Sequence, residues 1–167
     1  MKKPYIALFA ALALSTAGVY FTMQSTHHDA RAMDMGVKAG TLTLAGATAR
    51  FIIANRPGTV FLTIENAGDA DKLIAAASSI ADKVELHSHT MDNGVMKMRH
   101  VESIDVAANA TTELKSGGFH IMMFGVKELP ASGTMIPLTL TFKKAGKVNI
   151  EAMVGEPGAS HSHSTTN

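Results

Sequence analysis

A hydrophobic period of two constrains this chain more than any other feature. Thr41-Leu-Thr-Leu44, Thr59-Val-Phe-Leu-Thr-Ile64 and Leu138-Thr-Leu-Thr-Phe142 alternate apolar and polar residues with a β-branched bias. Each therefore presents one apolar and one more polar face, as a half-buried strand does. Val148-Asn-Ile-Glu-Ala-Met-Val154 follows Lys144-Ala-Gly-Lys147, which predicts a hairpin with Val148, Ile150, Ala152 and Val154 on one side. Turn chemistry recurs at Asn55-Arg-Pro-Gly58, Asn66-Ala-Gly-Asp69, Asp92-Asn-Gly94, Ser116-Gly-Gly118 and Ser132-Gly133, the spacing that short antiparallel strands require. The expected fold is an all-β sandwich. The alanine-rich stretch Leu73 to Ala81 is the one segment that reads as a helical turn.

The ends of the chain read differently. Lys2 and Lys3 precede an apolar run from Tyr5 to Leu14, and no Asp, Glu, Lys or Arg follows until Asp29, the pattern of a bacterial export segment. Residues 1–32 are expected to be this leader, cleaved after Ala17 or Ala32 or kept as an anchor, because the uncharged stretch from Pro4 to Thr26 is long enough to span a bilayer. The expected location is periplasmic, with membrane contact only through an uncleaved leader. Residues 37–154 hold the sandwich. Residues 155–167 combine glycine, proline and small polar residues with His161 and His163, as a flexible tail does.

At 167 residues the chain suffices for one domain with a proper core. Fifteen Lys and Arg against fourteen Asp and Glu leave a formal net charge of +1, with no basic run to neutralise a line of phosphates, so nucleic acid is not an expected partner. The chain has no cysteine, which excludes disulfides, thiolate nucleophiles, zinc-thiolate sites and blue-copper electron transfer. Phosphate loops, Gly-x-Ser-x-Gly elbows and His-Glu-x-x-His are missing from the sequence as well. Carboxylates near the histidines are few, which argues against metal-assisted hydrolysis. No enzymatic activity is expected.

Histidine and methionine are concentrated in one region. Four of the eight histidines (His87, His89, His100, His120) and five of the eleven methionines (Met91, Met96, Met98, Met122, Met123) fall between positions 87 and 123. As a strand, Val84 to Met91 would put Glu85, His87, His89 and Met91 on one face and Val84 and Leu86 on the other. Beyond the Asp92-Asn-Gly94 turn, Met96, Met98 and His100 would share a face, opposite Lys97 and Arg99. His120 and Met122 form His-x-Met on a third strand. Thioether is a soft, uncharged donor and imidazole a borderline one, so a mixed site selects Cu(I) over calcium, magnesium or manganese. Zinc prefers thiolate, imidazole or carboxylate. A thioether also needs no deprotonation, so such a site keeps its metal in mild acid. Met123, pointing opposite to Met122, reads as core filler, as do Met135 and Met153.

The spacing of His87, ten residues, Met98, twenty-one residues, His120-Ile-Met122 resembles the motif of the periplasmic copper A chaperone family, exported proteins associated with loading the copper centre of cytochrome c oxidase. The segments VELHSHTMDNGVMKMRHV, SGGFHIMMFGV and PLTLTFKKAGKVNI resemble that family's core in order and spacing, over roughly residues 40–154. The resemblance implies a cupredoxin-like Greek-key β-sandwich and Cu(I) ligands at His87, Met98, His120 and Met122. It implies delivery by ligand exchange to subunit II of cytochrome c oxidase or to another copper chaperone; copper sequestration without a dedicated acceptor is the alternative. His100 departs from the pattern, standing where proline is expected. Met91, Met96, His89 and His100 are candidates for auxiliary ligands. His161 and His163 are candidates for a second copper, held as Cu(II) on the tail, a site that similar family members carry.

Overall fold

The computed structural model describes residues 36–53, 56–92 and 94–156. The expected export leader, most of the His161/His163 tail and part of the Asn55–Gly58 turn lie outside the described residues. The described chain forms β1 (Val37–Ala39), β2 (Leu42–Arg50), β3 (Gly58–Asn66), β4 (Asp71–Ala77), β5 (Lys83–Asp92), β6 (Val95–His100), β7 (Ile104–Val106), β8 (Ala110–Leu114), β9 (Phe119–Phe124), β10 (Met135–Phe142) and β11 (Gly146–Val154), with no helix among them.

The strands hydrogen-bond in the order β6-β5-β9-β8-β3-β2-β11-β10-β4-β7, with β1 added to β2. Insertion of β9 between β5 and β8, and of β11 between β2 and β10, gives the non-sequential neighbours of a Greek-key sandwich. Strand β4 lies against β5 without pairing to it, so the sheet folds over into two layers. The alternating pattern drives this packing. Along β11, Val148, Ile150, Ala152 and Val154 are buried, and along β10, Ile136, Leu138, Leu140 and Phe142 face them. Burying an aliphatic or aromatic side chain of this size contributes about 1.5–3 kcal/mol, and this arrangement hides both rows. The β10–β11 hairpin closes at Gly146, whose φ of 77° suits a residue without Cβ.

The expected helical turn is corrected. Residues 71–77 are a strand, with Ala75, Ala76 and Ala77 paired to Thr141, Leu140 and Thr139 of β10 and Leu73 also paired to Ile104 of β7. Alanine's helix preference is weak beside two flanking ladders and a buried Leu73. Asp71 anchors the start of this strand by accepting backbone N–H bonds from Lys72, Lys144 and Ala145 at 2.7, 2.8 and 2.9 Å. Those bonds tie β4 to the turn of the β10–β11 hairpin.

Three strands then set up the face that carries the clustered histidines and methionines. Leu86 of β5 and Ile121 and Met123 of β9 point into the core and are buried. The intervening residues of the same strands must point outward. The core role expected for Met123 holds, whereas Met135 is 44 % exposed. It begins β10 opposite Met153, and both line a cleft of about 590 Å³ beside the irregular segment of β2.

Candidate metal centre

Strand β5 is the middle of the outward face, paired to β6 on one side and β9 on the other. Residues directly opposite in an antiparallel pair share a face, so the register lays the donors out in rows. His87 stands opposite His100 of β6 and His120 of β9. His89 stands opposite Met98, and Met91 opposite Met96. Glu85 stands opposite Met122. The three groups that alternation set on one face of each strand therefore lie on one common face. The Asp92-Asn-Gly94 turn that returns the chain uses Gly94 at a φ of 79°. On the far side of the hairpin Lys97 and Arg99 reach Asp92 at 2.8 and 3.4 Å.

The imidazoles form a contiguous patch. His89 and His120 stack with ring centroids 4.7 Å apart, and His87 lies 6.0 Å from His120 and 5.8 Å from His100. His120 is 1 % exposed, and its Nδ1 lies 3.0 Å from the Gly118 carbonyl, which can only accept. Nδ1 therefore carries the proton, and Nε2 keeps a lone pair. His87 repeats the pattern with its nitrogens exchanged: Nε2 lies 3.0 Å from Glu85 Oε2. Its donation to this carboxylate leaves Nδ1 with the lone pair. His87 Nδ1, His89 Nδ1 and His120 Nε2 are buried without a hydrogen-bond partner. A ring fixed by a carbonyl or carboxylate at one nitrogen, with the other free, is how proteins orient an imidazole toward a metal.

The electrostatics favour a neutral His120 and an ionised Glu85. Burial pushes the His120 imidazole below its ordinary value of 6.5, helped by the neighbouring His89 and His87 and opposed by the bond to Gly118. Hydrogen bonds from His87 and Lys83 bring Glu85 down to about 2.

Among the four ligands implied by resemblance, His87 is the hub. It is directly opposite His120 and diagonal, by two residues, to both Met98 and Met122. Met98 and Met122 occupy opposite corners of the patch. In a flat sheet that register separates their Cα atoms by roughly 16 Å, so a shared ion needs both thioethers to reach inward over His87. His89, an auxiliary candidate, is the residue that stands between Met98 and His120. Met98 is 47 % exposed, Met96 and Met91 more so, towards the hairpin tip, and His100 lies exposed at the patch edge. His161 and His163 lie outside the described residues. Among the described residues no group of three His, Cys, Asp or Glu side chains is placed to hold an ion without thioethers. Sequence reasoning treated Gly118 only as a turn residue and missed its carbonyl as the support for His120; the glycine pair before Phe119-His120 was the available signal.

Comparison with known proteins places this chain in a family. A model of the LpqE-like family matches residues 42–154, well over half of the chain. The chain belongs to the LpqE-like family, which is of the PCuAC type. A protein of Leifsonia xyli subsp. xyli, named a putative lipoprotein, is 33 % identical over 84 residues, covering 49 % of this chain and 51 % of that protein. The chain thus spans about half the length of the curated relative it matches. The copper-bound PCuAC domain of PmoF2 is similar with a TM-score of 0.63 at 20 % identity, over 73 % of this chain and 98 % of that one. At that identity the likeness is one of fold. The solution structure of CuI-DR1885 from Deinococcus radiodurans is 26 % identical, with a TM-score of 0.54 over 72 % of this chain and 80 % of that one. The cupredoxin-like sandwich expected from the sequence is thus the fold that members of this family adopt.

Proposed function

We propose that this LpqE-like chain is an exported copper metallochaperone that carries Cu(I) on the His/Met face of β5, β6 and β9 and releases it by ligand exchange. The observation that carries the reading is the set of buried imidazole nitrogens left without partners on a face otherwise rich in thioethers. His87 and His120 present lone pairs held in place by Glu85 and Gly118, and Met98 and Met122 supply soft sulfur that favours the monovalent ion. The copper carried by the similar PmoF2 domain and by DR1885 supports the same cargo.

Release follows from the gradient of exposure. His120 is sealed in, whereas Met98 is accessible, so an incoming donor displaces the outer thioether first and the inner imidazoles last. A site of uncharged ligands leaves its ion with a net positive charge, which favours an acidic or thiolate-bearing acceptor. The binuclear copper site of cytochrome c oxidase subunit II fits that description, as does a second copper chaperone. Export through the 1–32 leader places the carrier in the periplasm.

Competition titration against a Cu(I) chelator tests the assignment. His87→Ala, Met98→Ala, Met122→Ala and His120→Ala are each expected to weaken Cu(I) binding by about tenfold or more, with the far-UV spectrum unchanged. Wild-type affinity in all four variants would remove the site. Transfer to a soluble oxidase subunit II fragment tests the role. Copper that leaves no faster with the fragment present than without it would mark sequestration instead.

A further inference from the structure

We propose that the free edge of β6 is the docking site for an extended, acidic segment of the copper acceptor, which adds to the sheet as one more strand. The inference rests on the chaperone reading above and names the chemistry of its partner. Strand β6 ends the hydrogen-bonded order and pairs with β5, and all six of its residues are exposed. Its other edge has no strand partner among the described residues. The register shows which groups that edge offers. Val101 donates its backbone N–H to the Leu86 carbonyl at 2.9 Å, one step along the β5–β6 ladder from the pair His87 and His100. Bonded and non-bonded pairs alternate along an antiparallel ladder, so Arg99, Lys97 and Val95 turn their backbone groups to β5. Met96, Met98 and His100 turn theirs outward. Three N–H and three C=O groups in a row are what takes up an extended partner chain.

The two faces of β6 then set what that chain must carry. Met96, Met98 and His100 lie on the donor face, and Lys97 and Arg99 lie on the reverse. Lys97 and Arg99 share the carboxylate of Asp92, at 2.8 and 3.4 Å, so the reverse side of this edge keeps a net positive charge. A second copy of β6 paired antiparallel about Met98 would set Lys97 against the copy's Arg99, and like charges directly opposite destabilise a ladder. Carboxylates at alternate positions of an incoming strand meet both cations instead. The residues between those carboxylates fall on the donor face, one strand spacing of about 4.8 Å from β6. A thioether, thiolate or imidazole there stands beside Met98, the exposed member of the implied ligand set. The pattern that docks the acceptor thus also brings its donor to the outer thioether.

The probe is a capped heptapeptide, Glu-Thr-Glu-Met-Glu-Thr-Glu, with a control in which lysine replaces each glutamate. Each is titrated at low ionic strength into the metal-free full chain and read by amide hydrogen exchange and NMR shifts. Without peptide, the amides of Met96, Met98 and His100 are expected to exchange fast and those of Lys97 and Arg99 slowly. The glutamate peptide is expected to protect the first three, and the lysine peptide is not. Lys97→Glu with Arg99→Glu is expected to weaken the glutamate peptide by about tenfold and to favour the lysine peptide. Lys97→Gln with Arg99→Gln removes the charge without setting carboxylates beside Asp92 and should also weaken the glutamate peptide; circular dichroism checks the folding of both variants. No protection, an equal response to the two peptides, or undiminished binding in both variants would overturn the proposal. Protection before peptide is added would overturn it too, by showing the edge covered by this chain itself or by a second copy. Chelator competition on the same variants is expected to give wild-type Cu(I) affinity. Failure of the peptide arm removes the docking edge alone, whereas the copper reading falls on the four ligand variants described above.

Discussion

Replacing His120 by leucine should make the copper-free protein more stable while removing its response to copper. Leucine has nearly the volume of histidine, so the buried site neither empties nor overfills. The substitution loses the Nδ1–H bond to Gly118, worth about 1 kcal/mol. The Gly118 carbonyl is not orphaned, because it also accepts the His89 backbone N–H at 3.2 Å. Against that loss, the buried and unpaired Nε2 disappears, relieving about 2 kcal/mol of desolvation. The net is a gain of about 1 kcal/mol, which in a domain of this size raises the melting temperature by roughly 3–5 °C. Copper reverses the order. A ligand held at a hundred times its dissociation constant stabilises the native state by about 2.7 kcal/mol, and that increment should shrink or vanish in His120→Leu.

The same pair of proteins carries a pH signature. Because burial holds the His120 pKa below 6.5 in the folded state, the unfolded chain takes up this proton first as pH falls. Wild-type stability should therefore decline from about pH 6.5 down to the folded pKa, and the leucine variant should lack that slope. Thermal unfolding by circular dichroism, with and without Cu(I) under reducing conditions and at a series of pH values, measures all three effects. A copper-free variant that melts below wild type would refute the claim that Nε2 is a liability kept for a ligand. An undiminished copper shift would refute His120 as a ligand.

Two further expectations follow from the residues that position the site and the sheet. Glu85→Ala should weaken Cu(I) binding by about ten- to a hundredfold, the usual effect of losing an imidazole's outer support, while Lys83→Ala changes it little; chelator competition separates them, and equal effects would show charge rather than orientation at work. Asp71→Ala should destabilise the fold by about 2–3 kcal/mol in denaturant melts, since it strands backbone donors at the β10–β11 turn. Burial tends to raise the Asp71 carboxyl, but the bonds from Ala145, Lys72 and Lys144 outweigh it and leave the pKa below 3.8. Its contribution is complete above about pH 3.8 and is lost as pH falls through the lowered value, so acid unfolding in that range should be blunted in the variant.

Much of this protein is decided locally. Strict alternation in the segments that become β3, β10 and β11 leaves one face to bury, and glycines at turns such as Gly94 and Gly146 adopt the positive φ that closes the hairpins. The donor chemistry was equally legible, because residues two apart on a strand share a face whatever the strand pairs with. His87 with His89, Met96 with Met98 and His120 with Met122 needed no tertiary information to be grouped.

What the sequence could not determine is which groups meet. Pairing of β5 with β9 joins segments distant in the chain, and that pairing alone sets His120 against His87 and Met122 against Glu85. Local preference was overruled at Ala75–Ala77, where β10 supplies the ladder that makes an alanine run a strand, and at Met135, whose place at the start of β10 leaves it beside an open cleft. The orphaned nitrogens of the three histidines are likewise a tertiary fact. Burial and the reach of one carbonyl and one carboxylate decide which lone pair stays free, and those follow from long-range register and packing, to which a pattern of neighbours along the chain is blind.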